Sequence, residues 1–220
     1  MGFLVDAGPF ADSHSAFASA AVRCSASTSS YRFCMGLLAR YRCGVPELVA
    51  PTPRLHAAWL EAYAEWGPGA HEDGFGLHPT DEVVSSAGFA AWVARLTEHS
   101  DPSRTIDVGR HRCTYRWIVE SGRLLGGIAL RHGVDDDHVR WAGHLGYGVR
   151  PSARGRGVAT WAVGRMCTEA WVLGLDRVLV VCAVDNVASV RTIERCGGVF
   201  EGIGETRFGP VRRYWIDVRR

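Results

Sequence analysis

The run Val149-Arg150-Pro151-Ser152-Ala153-Arg154-Gly155-Arg156-Gly157-Val158-Ala159 holds the residue types that an anion site needs. Pro151 closes a strand pattern, and the glycines open a helical one. A helix start aims unbonded N–H groups and the positive end of its dipole outward. Gly155 and Gly157 let the backbone approach a ligand closely, and Arg154 and Arg156 add charge suited to a pyrophosphate. This is a phosphate cradle without lysine. Lysine is missing from the whole chain: all 25 residues counted as Lys or Arg are Arg, Gln is absent, and Asn186 is the only Asn. A P-loop and a Schiff-base enzyme each need a lysine, so both are excluded. Asn186 itself follows an apolar run at residues 178–184 and opens a helical pattern, where its side chain suits an N-cap.

The elements that must position these residues follow from periodicity. Residues 47–50 form a short strand candidate. From Pro53, Leu55, Ala58, Trp59, Ala62, Tyr63 and Trp66 recur at helical spacing. A second amphipathic helix covers residues 86–99, with Phe89, Trp92, Val93 and Leu96 on one face. Residues 114–120 and 123–131 read as a hairpin about Ser121-Gly122, and Asp135–Asp137 as a solvated turn. A third strand is predicted over 139–149, a helix over 155–173, a strand over 178–184 and a helix over 186–196. A last hairpin takes 199–205 and 212–218. This β-α-α-β-β-β-α-β-α-β-β order predicts an α/β (α+β) fold, a mixed sheet with one central β-α-β crossover. Residues 1–44, rich in Ser and Ala without either period, are expected to be a disordered or non-native extension.

The glycine run and the second motif together resemble the GNAT N-acetyltransferase superfamily. The first motif matches at Arg154-Gly155-Arg156-Gly157-Val158-Ala159. The second matches at the strand over 178–184, then Asp185-Asn186-Val187-Ala188-Ser189 and Glu194-Arg195-Cys196-Gly197-Gly198. The resemblance covers residues 45–220 and implies the acyl-CoA N-acyltransferase fold. It implies acetyl-CoA as co-substrate, held by Arg154, Gly155, Arg156, Gly157, Val158, Ala159, Asn186 and Ser189. It also implies that the strands around Val149 and Val181 splay, often through a bulge near Gly146–Gly148, with a backbone N–H near Val149 polarising the thioester. A primary amine, on a small molecule or a peptide, would attack directly in a ternary complex. His144, beside the expected thioester, is the candidate base. The Tyr that many members use as acid is replaced by Ile193, which leaves Cys196 or water.

Other classes fit less well. A formal charge of +2 argues for no nucleic-acid partner, and no run is apolar and long enough to span a membrane. Seven cysteines without a CxxC point to reduced thiols in a cytoplasmic protein and to no metal. His71-Glu72-Asp73 would have to converge to bind a metal, and contiguous side chains diverge. That acidic loop and the aromatics of residues 59–66 lie where the family lines its acceptor pocket. A dinucleotide enzyme would need a third glycine where Thr160 stands, and a second crossover unit. A catalytically silent acyl-CoA sensor is the remaining alternative. The apolar C-terminal hairpin is the candidate contact for a homodimer.

Overall fold

The computed structural model describes residues 44–67, 74–101, 103, 112–133, 137–206 and 209–219. The expectations for residues 1–43, for His71-Glu72-Asp73 and for Asp135 and Asp136 lie outside the described residues. Seven strands form one mixed sheet in the order β1-β2-β3-β4-β5-β7-β6. They are β1 (Glu47–Val49), β2 (Cys113–Glu120), β3 (Arg123–Arg131), β4 (Leu145–Val149), β5 (Arg177–Ala183), β6 (Val199–Thr206) and β7 (Gly209–Asp217). The helices are α1 (His56–Trp66), α2 (Ser86–Ser100), α3 (Asp137–Ala142), α4 (Val158–Val172) and α5 (Val187–Arg195). Only β4 and β5 pair in parallel, joined through α4. The predicted mixed sheet with its single crossover is therefore observed.

The sheet separates two cores of different chemistry. On one face the aromatic stripes of α1 and α2 bury Trp59, Phe89 and Trp92 against Trp117 of β2. Their rings lie 4.6–6.2 Å apart, mostly tilted or edge-on, as ring quadrupoles prefer. Ser85 caps α2 by accepting the Gly88 N–H. On the other face α4 packs small and aliphatic residues, Ala162, Val163, Met166 and Ala170, against Ile128, Leu130 and Val180.

One expected element is wrong in type. The strand predicted over 139–149 is two elements, helix α3 and the shorter β4. Val139-Arg140-Trp141-Ala142 alternates enough to imitate a strand, but Gly143, at φ 78°, stops the segment as a left-handed cap. Asp137, read as part of a turn, belongs to the helix. The helix predicted from Gly155 begins only at Val158, because Gly155 and Gly157 take φ values of 73° and 78° that no α-helix accommodates.

Candidate functional site

The site starts at the seam between β4 and β5. On its β3 side β4 is in unbroken register, from Gly126↔Val149 to Leu130↔Leu145, so no bulge interrupts residues 146–148 on that side. On its β5 side it pairs only at Leu145↔Val180. Arg150 N–H donates to the Leu125 carbonyl and Arg131 N–H to that of His144, each at 2.8 Å. By the alternation of an antiparallel ladder, the even-numbered β4 residues then bond β3, and Leu145, Tyr147 and Val149 aim their N–H and C=O groups toward β5. Past Leu145 β5 no longer pairs with β4, and the Val149 carbonyl accepts from Arg154 instead.

A cavity of about 500 Å³ occupies this gap and extends to the start of α4. It brings together Val149, Arg154, Gly155, Gly157, Val158, Ala159, Asn186 and Ser189. A Cβ on Gly155 or Gly157 would meet nothing within 4 Å, so these glycines are needed for their left-handed backbone and the open space above it. The first intrahelical bond of α4 runs from Trp161 N–H to the Gly157 carbonyl at 3.0 Å, and no side chain caps the helix start. The amides of Val158, Ala159 and Thr160 therefore face outward at the positive end of a 15-residue helix. Arg154 folds back over the turn, donating Nε–H to the Val149 carbonyl at 2.9 Å. Asn186 caps α5, its side chain accepting the Ser189 N–H at 3.0 Å.

Two predicted residues do not join this lining. Arg156 turns to Glu120, reaching its two carboxylate oxygens at 2.7 and 2.9 Å. His144 is buried behind the seam: its backbone N–H donates to the Leu179 carbonyl at 2.7 Å and its Nδ1 accepts the Leu179 N–H at 2.9 Å. Burial, aided by the Arg131 charge and opposed by the Gly133 carbonyl, pushes its pKa down to about 4. The ring is neutral at physiological pH, and its Nδ1 lone pair is already engaged.

Several site residues were not anticipated. Tyr147 shares the cavity face with Leu145 and Val149, which the period of two in a strand makes readable. Its hydroxyl reaches the Ser189 carbonyl at 3.5 Å, and burial pushes its pKa up to about 12. Cys182 of β5 lies opposite, its thiol raised by burial. Arg191 and Arg195, four apart on α5, add positive charge. Beneath the cradle, buried Arg150 binds Glu65, Glu61 (2.9 Å) and the Leu124 carbonyl (3.2 Å). Glu65 also accepts the Ser152 N–H and hydroxyl, so the end of α1 holds the turn that precedes the glycines. That bond pattern needed long-range contacts and left no local signal.

Among the described residues no cluster of His, Cys, Asp and Glu could hold a metal ion, and no helix is long and apolar enough to cross a membrane. The family model of the acetyltransferase (GNAT) domain matches residues 84–199. No curated protein matches the chain. Among solved structures, Mycobacterium smegmatis RimJ in complex with CoA-disulfide is similar at TM-score 0.61 and 18% identity, over 79% of this chain and 82% of that one. YncA from Salmonella typhimurium with acetyl-CoA is similar at TM-score 0.51 and 17% identity, over 80% and 95%. The microcin C7 self-immunity acetyltransferase MccE, in complex with acetyl-CoA and AMP, is similar at TM-score 0.54 and 16% identity, over 78% and 92%. A glycine turn feeding a helix start beside a split parallel seam, within a matched stretch that is more than half its length, makes this chain a member of the GNAT acetyltransferases.

Proposed function

We propose that the chain, through residues 45–220, is an N-acetyltransferase that moves an acetyl group from acetyl-CoA to a primary amine, on a small molecule or a peptide, by direct attack in a ternary complex. The observation that carries this reading is a continuous cavity joining the β4–β5 gap to the outward-facing amides of α4. When bound, acetyl-CoA supplies a thioester carbonyl that an amine can attack. The residues fit it. The Val158, Ala159 and Thr160 amides with Arg154 would hold the pyrophosphate, as a helix start and a guanidinium both favour. The β5-facing groups of Tyr147 would pair with the amides of the pantetheine arm, and the backbone beside Val149 would polarise the acyl carbonyl. Asn186 and Ser189 would border the arm from α5.

His144 we assign to the frame and not to proton transfer, since a base needs a lone pair in reach of the amine and its Nδ1 is bonded to β5. A catalytically silent acyl-CoA-binding module is the second reading, favoured by Ile193, which is fully buried in the aliphatic core and carries no proton to give. Turnover on a panel of amines, followed by thiol release, separates the two.

Calorimetric titration of acetyl-CoA tests the main reading against an Arg154→Glu/Gly157→Trp double variant. Micromolar binding by the wild type should fall by at least about a hundredfold, roughly 3 kcal/mol, as the cradle is filled and its charge inverted. Equal binding by the two folded proteins would move the site elsewhere.

A further inference from the structure

Acyl transfer from a thioester releases a thiolate, and a buried anion needs a donor. The cavity is built unequally in this respect. Its arginines come from the glycine loop and from α5. An arm held by its phosphates at the α4 start and running into the gap would pass Val149 and point toward Leu145, where the seam closes. Tyr147 stands two residues short of Val149, roughly 7 Å back along the strand. In that part of the lining the side chains carrying an ionisable proton are Tyr147 and Cys182.

Tyr147 is placed to act. Its ring crosses from β4 to the first turn of α5, and its hydroxyl meets the Ser189 carbonyl at 3.5 Å, the outer limit of a hydrogen bond. The Ser189 and Thr192 side chains bond the same oxygen and favour its charged form, so the long contact to the Ser189 carbonyl is the one its proton can leave for a ligand. We propose that the Tyr147 hydroxyl is the hydrogen-bond donor that receives the sulfur of CoA as the acyl group leaves, an inference that rests on the function proposed above. In this step the C–N bond forms and the C–S bond breaks with its electron pair on sulfur. The surplus proton of the amine passes to water, and the phenol keeps its own proton while bonding the thiolate. Donation, and not transfer, is the outcome because the phenol holds its proton to about 12, above the range of an ordinary thiol.

A hydrogen bond to the charged form lowers the pKa of a bound thiol. Calorimetric affinities of CoA, which ionises, and acetyl-CoA, which does not, would be compared from about pH 7 to about pH 10 for wild type, Tyr147→Phe and Cys182→Ala. The wild type and Cys182→Ala should gain roughly tenfold in preference for CoA across that range, and Tyr147→Phe should stay within about twofold. The same tenfold gain in Tyr147→Phe overturns the assignment, and its loss in Cys182→Ala alone transfers the role to Cys182. Failure of the folded wild type to bind either ligand would remove the proposed function itself, and this donor with it.

Discussion

Strand β4 meets its two neighbours very differently. Against β3 it runs in five consecutive pairs, so close that a Cβ on Gly126 would lie 2.2 Å from the Gly148 carbonyl. Against β5 it makes one pair and then parts. The opening does not leave either strand without a partner, because β5 is matched along its whole length by β7, from Arg177↔Asp217 to Ala183↔Val211. Each strand keeps a ladder, and the ordinary twist of a sheet can carry the two halves apart. The point of parting is set by His144, whose N–H and Nδ1 both grip Leu179. A binding gap thus costs the fold only the β4–β5 bonds along a few residues.

This contrast can be broken on its closed side first. Trp117→Ala empties the fully buried centre of the aromatic core, and should cost about 3–5 kcal/mol in denaturant unfolding. Acetyl-CoA affinity of the folded fraction should change by less than about 0.5 kcal/mol, since the cavity lies in the other core. A comparable loss of affinity would mean that the two halves are energetically one.

The pin at the seam gives a smaller, pH-dependent effect. His144 has a folded pKa near 4, below its ordinary 6.5, so the unfolded chain binds its proton more readily. Its contribution is therefore complete above 6.5 and is lost as pH falls toward 4. Wild type should lose about 1–2 kcal/mol more than His144→Phe between neutral pH and about pH 5, read from urea midpoints. Parallel curves for the two proteins would remove His144 as the pin. The weakest effect is expected at Arg156, whose partly exposed pair with Glu120 lies outside the cavity. Arg156→Ala should shift both stability and acetyl-CoA affinity by less than about 1 kcal/mol. A larger loss of affinity would show that Arg156 leaves Glu120 when the ligand arrives.

Much of this was legible beforehand where local chemistry decides. The Asn186 cap, the helix faces of Trp59–Trp66 and Phe89–Leu96 and the hairpin about Ser121-Gly122 each depend on residues within a few positions of one another. The error at residues 139–149 arose because four alternating residues satisfy a strand pattern as well as one turn of helix, and only Gly143 marked the break. Arg154 and Arg156 looked equivalent in the run, yet a glutamate 36 residues earlier draws one of them aside.

Residue types and their spacing were enough to define the strand-to-helix turn before α4, the β-α-β crossover and the exclusion of lysine chemistry, because backbone conformation and helix capping are short-range. The tertiary structure decided which candidates leave the cavity lining, as Arg156 and His144 do. Whether His144 is a base or a pin, and whether Tyr147 or Ile193 stands near the ligand, depends on which strand lies across the seam and how far it has moved. Those are relations between residues 35 or more apart, such as Leu179 N–H on His144 and Tyr147 on Ser189. Burial then changes the titration of the same side chains, keeping the imidazole neutral down to about pH 4 and the phenol protonated up to about 12.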